Sequence, residues 1–108
     1  MALTILNLYD GVLAAGLGTL YTAAALTKAV VRAASFCNPT GGAVSLTVTL
    51  IPRTAGTART LVSARSLAAG ETYLCPELIN QVIEAGGSIR GSGLDIQVSI
   101  SGTQVVNG

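Results

Sequence analysis

Residues 43–52 (AVSLTVTLIP) alternate strictly, with Val44, Leu46, Val48 and Leu50 interleaved with Ser45, Thr47, Thr49 and Ile51. A period of two suits only a strand that buries one face, because successive side chains point to opposite sides of a sheet. The pattern returns near the C-terminus, where Leu94, Ile96, Val98 and Ile100 are predicted to point inward while Asp95, Gln97, Ser99 and Ser101 point out. Turn chemistry punctuates the rest of the chain about every ten residues.

Residues 3–9 (LTILNLY) read as a first extended segment, stopped by Asp10-Gly11, and residues 17–22 as a second, with an irregular stretch between. Residues 28–38 (KAVVRAASFCN) are apolar on both sides and end at Asn38-Pro39-Thr40-Gly41-Gly42, a turn. The β-branched pair Val30-Val31 favours strand there over helix. Residues 58–67 form a weaker strand candidate, and residues 71–75 a short one closed by Pro76. Residues 77–85 (ELINQVIEA) place Leu78, Ile79, Val82 and Ile83 at helical spacing, which predicts one or two turns of helix. Gly86-Gly87 ends it, a brief strand holds Ile89, Gly91-Ser92-Gly93 makes a tight turn, and a tail strand follows Gly102.

Six to eight short strands with turns between them predict an all-β fold, an antiparallel β-sandwich of jelly-roll type. At most one short helix lies near residues 77–85. The 108 residues suit a single domain. Residues 1–27, less regular than the rest, are the candidate for an extended N-terminal arm reaching onto a neighbour. With half the residues hydrophobic but only 4% aromatic, the core must be aliphatic.

Charged side chains make up 10% of the chain, against about 25% in an ordinary soluble domain. The surface is therefore dressed in hydroxyls, amides, glycines and apolar atoms, which suits burial against other subunits, since interface centres are poor in Lys, Glu and Asp. The net charge is +1, and Arg53, Arg59 and Arg65 are the nearest approach to a basic cluster, so nucleic acid is not an expected partner. Gly11, Gly16 and Gly18 interrupt the longest uncharged N-terminal stretch, so it reads neither as a membrane span nor as a secretory signal. That pattern leads to the expectation of a protein made in the cytoplasm.

Catalytic chemistry finds little purchase. The chain has no His to act as a base near neutral pH. Cys37 and Cys75 have no imidazole to activate them and read as free thiols acting as small core hydrophobes, although a pairing is open if their strands are neighbours. Two cysteines without His make no zinc site, and no acidic loop resembles a calcium site. Glu71, Glu77, Glu84 and Asp95 are not forced together, Gly16-Leu17-Gly18 and Gly91-Ser92-Gly93 are bare fragments of a phosphate loop, and Asn38-Pro39-Thr40 is no glycosylation site because Pro fills its middle. Tyr9, Tyr21, Tyr73 and Phe36 are too few for a stacking platform. The expectation is a non-enzyme with no cofactor and no metal.

The strings LYTAAALTKAVVRAASFCNPTGGAVSLTVTLIP, SLAAGETYLCPELINQVIEAGGSIRG and DIQVSISGTQVV resemble small virion structural proteins of tailed bacteriophages. The resemblance covers residues 8–106 and rests on turn and strand residues rather than on a catalytic motif. Such chains more often carry Asp where this one has Gly87, a departure expected to loosen the turn. The resemblance implies a β-sandwich on the virion that decorates or cements a capsid, with the major capsid protein as partner and a homo-oligomer, dimer or trimer, as the working unit. A tail, baseplate or fibre accessory module recognising a host surface is the alternative. The candidate subunit contacts are Leu3, Ile5, Leu6, Leu8 and Tyr9, lying across a neighbour if the segment is an arm, or forming an edge strand of the same sandwich.

Overall fold

The computed structural model describes residues 2–106, with side chains from Thr4 onward. Nine strands are present: β1 (Ala2–Val12), β2 (Gly18–Thr22), β3 (Thr27–Cys37), β4 (Val44–Ile51), β5 (Arg59–Leu67), β6 (Thr72–Tyr73), β7 (Val82–Ile83), β8 (Ser88–Ser92) and β9 (Gln97–Val106). They form two antiparallel sheets. The first has the order β1-β9-β3-β6, with β7 also on β3, and the second the order β2-β8-β4-β5.

The pairings work inward from the termini. β1 pairs with β9, β2 with β8, β3 with β6 and β7, and β4 with β5. Such a set is one long antiparallel ribbon folded at the β4–β5 hairpin. Rolling it brings β9 against β3 and β8 against β4, closing the two sheets over each other. This is a jelly roll, the two-Greek-key route by which a sandwich leaves only short or protected edges.

Inward residues supply the core. Val31, Phe36, Leu46, Val48, Leu67, Leu78, Ile83, Ile89, Ile96 and Ile100 are fully buried, and Phe36 is the one aromatic among them. The aliphatic core expected from composition is therefore present, and its inward rows on β4 and β9 follow the alternation, save that Leu94 precedes β9 and is exposed.

Residues 77–85 form no helix. Leu78 N–H bonds back to Cys75 and Gln81 N–H to Leu78, but Asn80 turns to φ 67° and gives its N–H to the Val31 carbonyl at 2.7 Å. Val31 N–H reciprocates to Gln81 at 3.1 Å. The segment from β6 to β7 is thus one strand interrupted by turns, kept on β3 throughout, with Leu78 and Ile83 delivered to the core. Helical spacing of apolar residues arose here from a bulged strand.

Two expected turns are also absent. β1 runs straight through Asp10-Gly11, which pair with Ser99 and Val98. A Cβ on Gly11 would lie 2.7 Å from Tyr9 Oη, so the Tyr9 ring covers the glycine and the strand continues. Gly102 likewise stays inside β9, beneath Leu8 and against the Val30 carbonyl, so the tail strand and the strand before it are one element. Gly91 and Ser92 belong to β8, with the turn following at Gly93.

Residues 1–27 contribute β1 and β2, the edge strands of the two sheets on one side of the sandwich. Over its described length this segment belongs to the sandwich of its own chain: β1 is in register with β9 from Ala2 to Val12.

Candidate subunit-contact surface

The ladder register decides which side chains share the outer face of the first sheet. Ile5 pairs with Thr103, Thr103 with Val30, and Val30 with Val82, so these four lie in one row across β1, β9, β3 and β7. Ile5 is 84% exposed and Val82 46%. Leu26 and Val105 lie near one end of this row and the exposed Ala33 and Leu74 flank the other. The result is a largely apolar row four strands wide, exposed at Ile5 and Val82 and half-buried at Thr103 and Val30, with Lys28 and Arg32 the charged residues of β3.

Beyond the β-bulges at Leu8 and Arg32 the same face changes character. Its rows there are Asp10–Ser99–Ser35 and Val12–Gln97–Cys37, flooring a trough of about 380 Å³ of mixed polar and apolar lining. The outer face of the second sheet is rich in hydroxyls, with Thr19–Arg90–Thr49–Thr60 in one row, Thr22–Ser88–Ile51 in another, Ser92–Thr47 in a third and Ser45–Ser66 in a fourth.

The edges differ as well. β5 carries Arg59 and Arg65, and its ladder to β4 is broken by two register shifts. Ala64, at φ 47°, gives its N–H to Thr47 Oγ1 within that broken stretch. Charge and bulges of this kind keep an edge from pairing with foreign strands. β1 has no ionisable side chain between Ala2 and Tyr9.

The five candidate contacts all lie on β1 but divide between its faces. Ile5 points outward from the first sheet. Leu8 is in the core at 8% exposure, and Leu6 and Tyr9 pack against the core, half-buried. The Leu3 side chain lies outside the described residues, and its backbone pairs with Val105. The residues not foreseen are Thr103, Val30 and Val82, which topology brings to Ile5. Their visible signal was the two-sided apolarity of residues 28–38, which pays no heed to a solvated face.

Burial pushes the Cys75 thiol up to about 11, leaving little thiolate at neutral pH. Cys37 is half-buried on the outer face rather than in the core, and both thiols are free. Tyr73 is pushed up to about 12, first by desolvation and then by its hydrogen bond to Glu77, whose own pKa is lowered by that bond. Arg65 of β5 sits 4.2 Å over the Tyr73 ring, tying one sheet edge to the other. Glu84 is paired with Arg53 at 3.0 Å. Among the described residues no group of three His, Cys, Asp or Glu side chains is placed to hold a metal, and no helix is long and apolar enough to cross a membrane.

A scan against family models found no match, and a search of curated proteins found none either. Solved structures do match. The likeness is to virus capsids. The Gx strain of infectious bursal disease virus superposes with a TM-score of 0.56 at 15% identity, over 99% of this chain and 33% of that one. A T13 particle of the same virus gives 0.56 at 14% identity, over 99% and 31%. Its VP2 subviral particle gives 0.54 at 14%, over 99% and 33%. The chain thus spans about a third of the length of the proteins it superposes on. At such identity the likeness is one of fold, and it agrees with the jelly roll derived from the strand pairings.

Proposed function

We propose that this chain is a non-enzymatic structural protein of a virus particle, and within that class a capsid decoration (cement) protein of a tailed phage that bridges neighbouring major capsid subunits. The observation that carries the reading is the outward row Ile5–Thr103–Val30–Val82, three apolar side chains and one Thr with Ile5 and Val82 exposed, beginning at an edge strand without charge from Ala2 to Tyr9. Exposed apolar patches on small soluble domains usually mark interaction sites. The proteins of like fold are virus particles, which supports a virion setting. The sequence resemblance supports the phage context.

Physically, a sandwich whose loops are hydrogen-bonded to one another makes a stiff strut. Repeated at symmetric positions, many modest contacts resist opening of a shell together, because effective concentration makes each successive contact intramolecular. The test is the copy number and position of the chain in an intact particle. Copies in simple proportion to the major capsid protein, spread over the shell, are expected. A few copies confined to one vertex or to the tail overturn cementing and favour a tail, baseplate or fibre accessory role.

A further inference from the structure

The edge strand β1 supplies a more specific inference, which rests on reading the chain as a subunit-binding module. We propose that β1 of one copy pairs antiparallel with β1 of a second copy about a two-fold axis at Ile5, joining the two first sheets into one.

Three observations converge on a second copy as the occupant. First, β1 is the free edge of its sheet, and from Ala2 to Asn7, ahead of its bulge at Leu8, its outer backbone groups lack the charged or bulged protection that β5 has. Second, the charge pattern matches a strand of its own kind. Pairing about Ile5 sets Thr4 opposite Leu6 and Ala2 opposite Leu8, all uncharged, while Asp10 lies beyond the Leu8 bulge and outside the paired stretch. Pairing β1 instead with β5 of the next copy would meet Arg59, Arg65 and the broken ladder. Third, the two-fold continues the apolar row: Val82–Val30–Thr103–Ile5 would meet its own image, so each Ile5, 84% exposed alone, is covered by the other. An isologous contact of this type closes on itself and leaves the remaining surface for a shell. The bulge at Leu8 ends the pairing, because there the strand leaves its regular register.

The test uses the full chain in a Cys37→Ser background, with Ile5→Cys, Asn7→Cys and Ile5→Lys variants. Residues facing each other across an antiparallel pair have Cβ atoms roughly 4.5–5.5 Å apart, close enough for Ile5→Cys to cross-link under mild oxidation. Asn7→Cys lies roughly 13 Å from its own image in this register and is expected to stay uncross-linked. Ile5→Lys, at a solvent-exposed position that leaves the fold intact, is expected to raise the dimer dissociation constant roughly 100-fold in sedimentation, by losing the Ile5–Ile5 contact and apposing like charges. Cross-linking at Asn7 rather than Ile5, or a dimer indifferent to Ile5→Lys, overturns the pairing. Monomeric protein that still coats shells overturns the pairing and leaves the virion reading standing. A dimer cross-linked through Ile5 that binds no shell component upholds the pairing and overturns the virion reading.

Discussion

The two ends of the sandwich solve one problem in different ways. Each must fasten loops that run between sheets and would otherwise leave backbone groups unpaired. At the end holding the β3–β4 and β5–β6 loops, a buried side chain does it. Asn38 Nδ2 donates to the carbonyls of Gly42 at 2.8 Å and Leu67 at 2.9 Å, while its Oδ1 accepts from Thr40 N–H and Oγ1. Its backbone bonds Glu71 and Gly70 across the gap. At the other end the fastening is backbone to backbone. Ala23 N–H donates to the Gly87 carbonyl and Gly86 N–H to that of Ala23, while Glu84 N–H reaches Pro52 and Thr54 N–H reaches Ala85. One end relies on a buried side chain, the other chiefly on backbone bonds between close-packed loops, to which the exposed Thr54 Oγ1 adds a bond to the Ala85 carbonyl at 3.2 Å. Their dependence on substitution should differ accordingly.

The largest effect is expected at Asn38. Replacing the fully buried Asn38 with Ala removes the donor to the buried Leu67 bond, the donor to the Gly42 carbonyl and the acceptor for Thr40 at once. The expected loss is about 3 kcal/mol in denaturant unfolding, the cost of several unsatisfied groups rather than of one bond. A loss below about 1 kcal/mol would mean that the loops hold each other without the side chain.

Next comes Gly87→Ala at the opposite end. A Cβ there would sit 2.7 Å from both the Ile51 and Pro52 carbonyl oxygens, so the backbone must shift. About 2 kcal/mol is expected, the usual scale of overpacking. The turn is therefore tight where the departure from Asp had suggested a loose one, and Gly87→Asp should do worse than Gly87→Ala.

These two residues also show how much was legible beforehand. Strands β3, β4 and β9 followed from β-branching and alternation, because those are local properties, and β5 was a weaker candidate. The jelly-roll class followed from strand spacing. What escaped depended on distant partners. Asn38-Pro39-Thr40 announces a turn but not that the Asn faces inward to Leu67, 29 residues away. Asp10-Gly11 announces a turn and Gly102 a break, yet Tyr9 covers one glycine and Leu8 lies over the other, so both remain in strands. Of the exposed row on the first sheet, Ile5 was legible as an apolar residue on an uncharged segment. The row it joins was not, since Val30, Val82 and Thr103 meet it only once β9 and β7 have taken their places on β3.

A smaller and pH-dependent effect separates buried from exposed polar contacts near the Asn38 end. Tyr73 donates to Glu77, an exposed carboxylate. Glu77 has a pKa below its usual 4.5 in the folded chain, so its contribution is present above that value and is lost as pH falls through the lower folded one. Tyr73 is raised from 10.0 to about 12, so its contribution is present below pH 10 and is lost as pH rises toward the higher value. Tyr73→Phe keeps the ring under Arg65 and is expected to flatten both limbs of a stability–pH curve. The limbs are shallow, because solvent screens the pair.

The smallest effect should come from the one ion pair at the glycine end, and it sharpens the comparison most directly. Arg53 and Glu84 meet at 3.0 Å between the very loops that the Glu84–Pro52 and Thr54–Ala85 backbone bonds already join. Their side chains are 59% and 39% exposed, so the attraction acts through water and must hold two flexible side chains in place. Arg53→Ala is expected to cost about 0.5 kcal/mol or less, and raising the salt concentration should shrink even that difference. A loss approaching that of Gly87→Ala would show that this end, too, leans on its side chains, and the contrast between the two ends would fail.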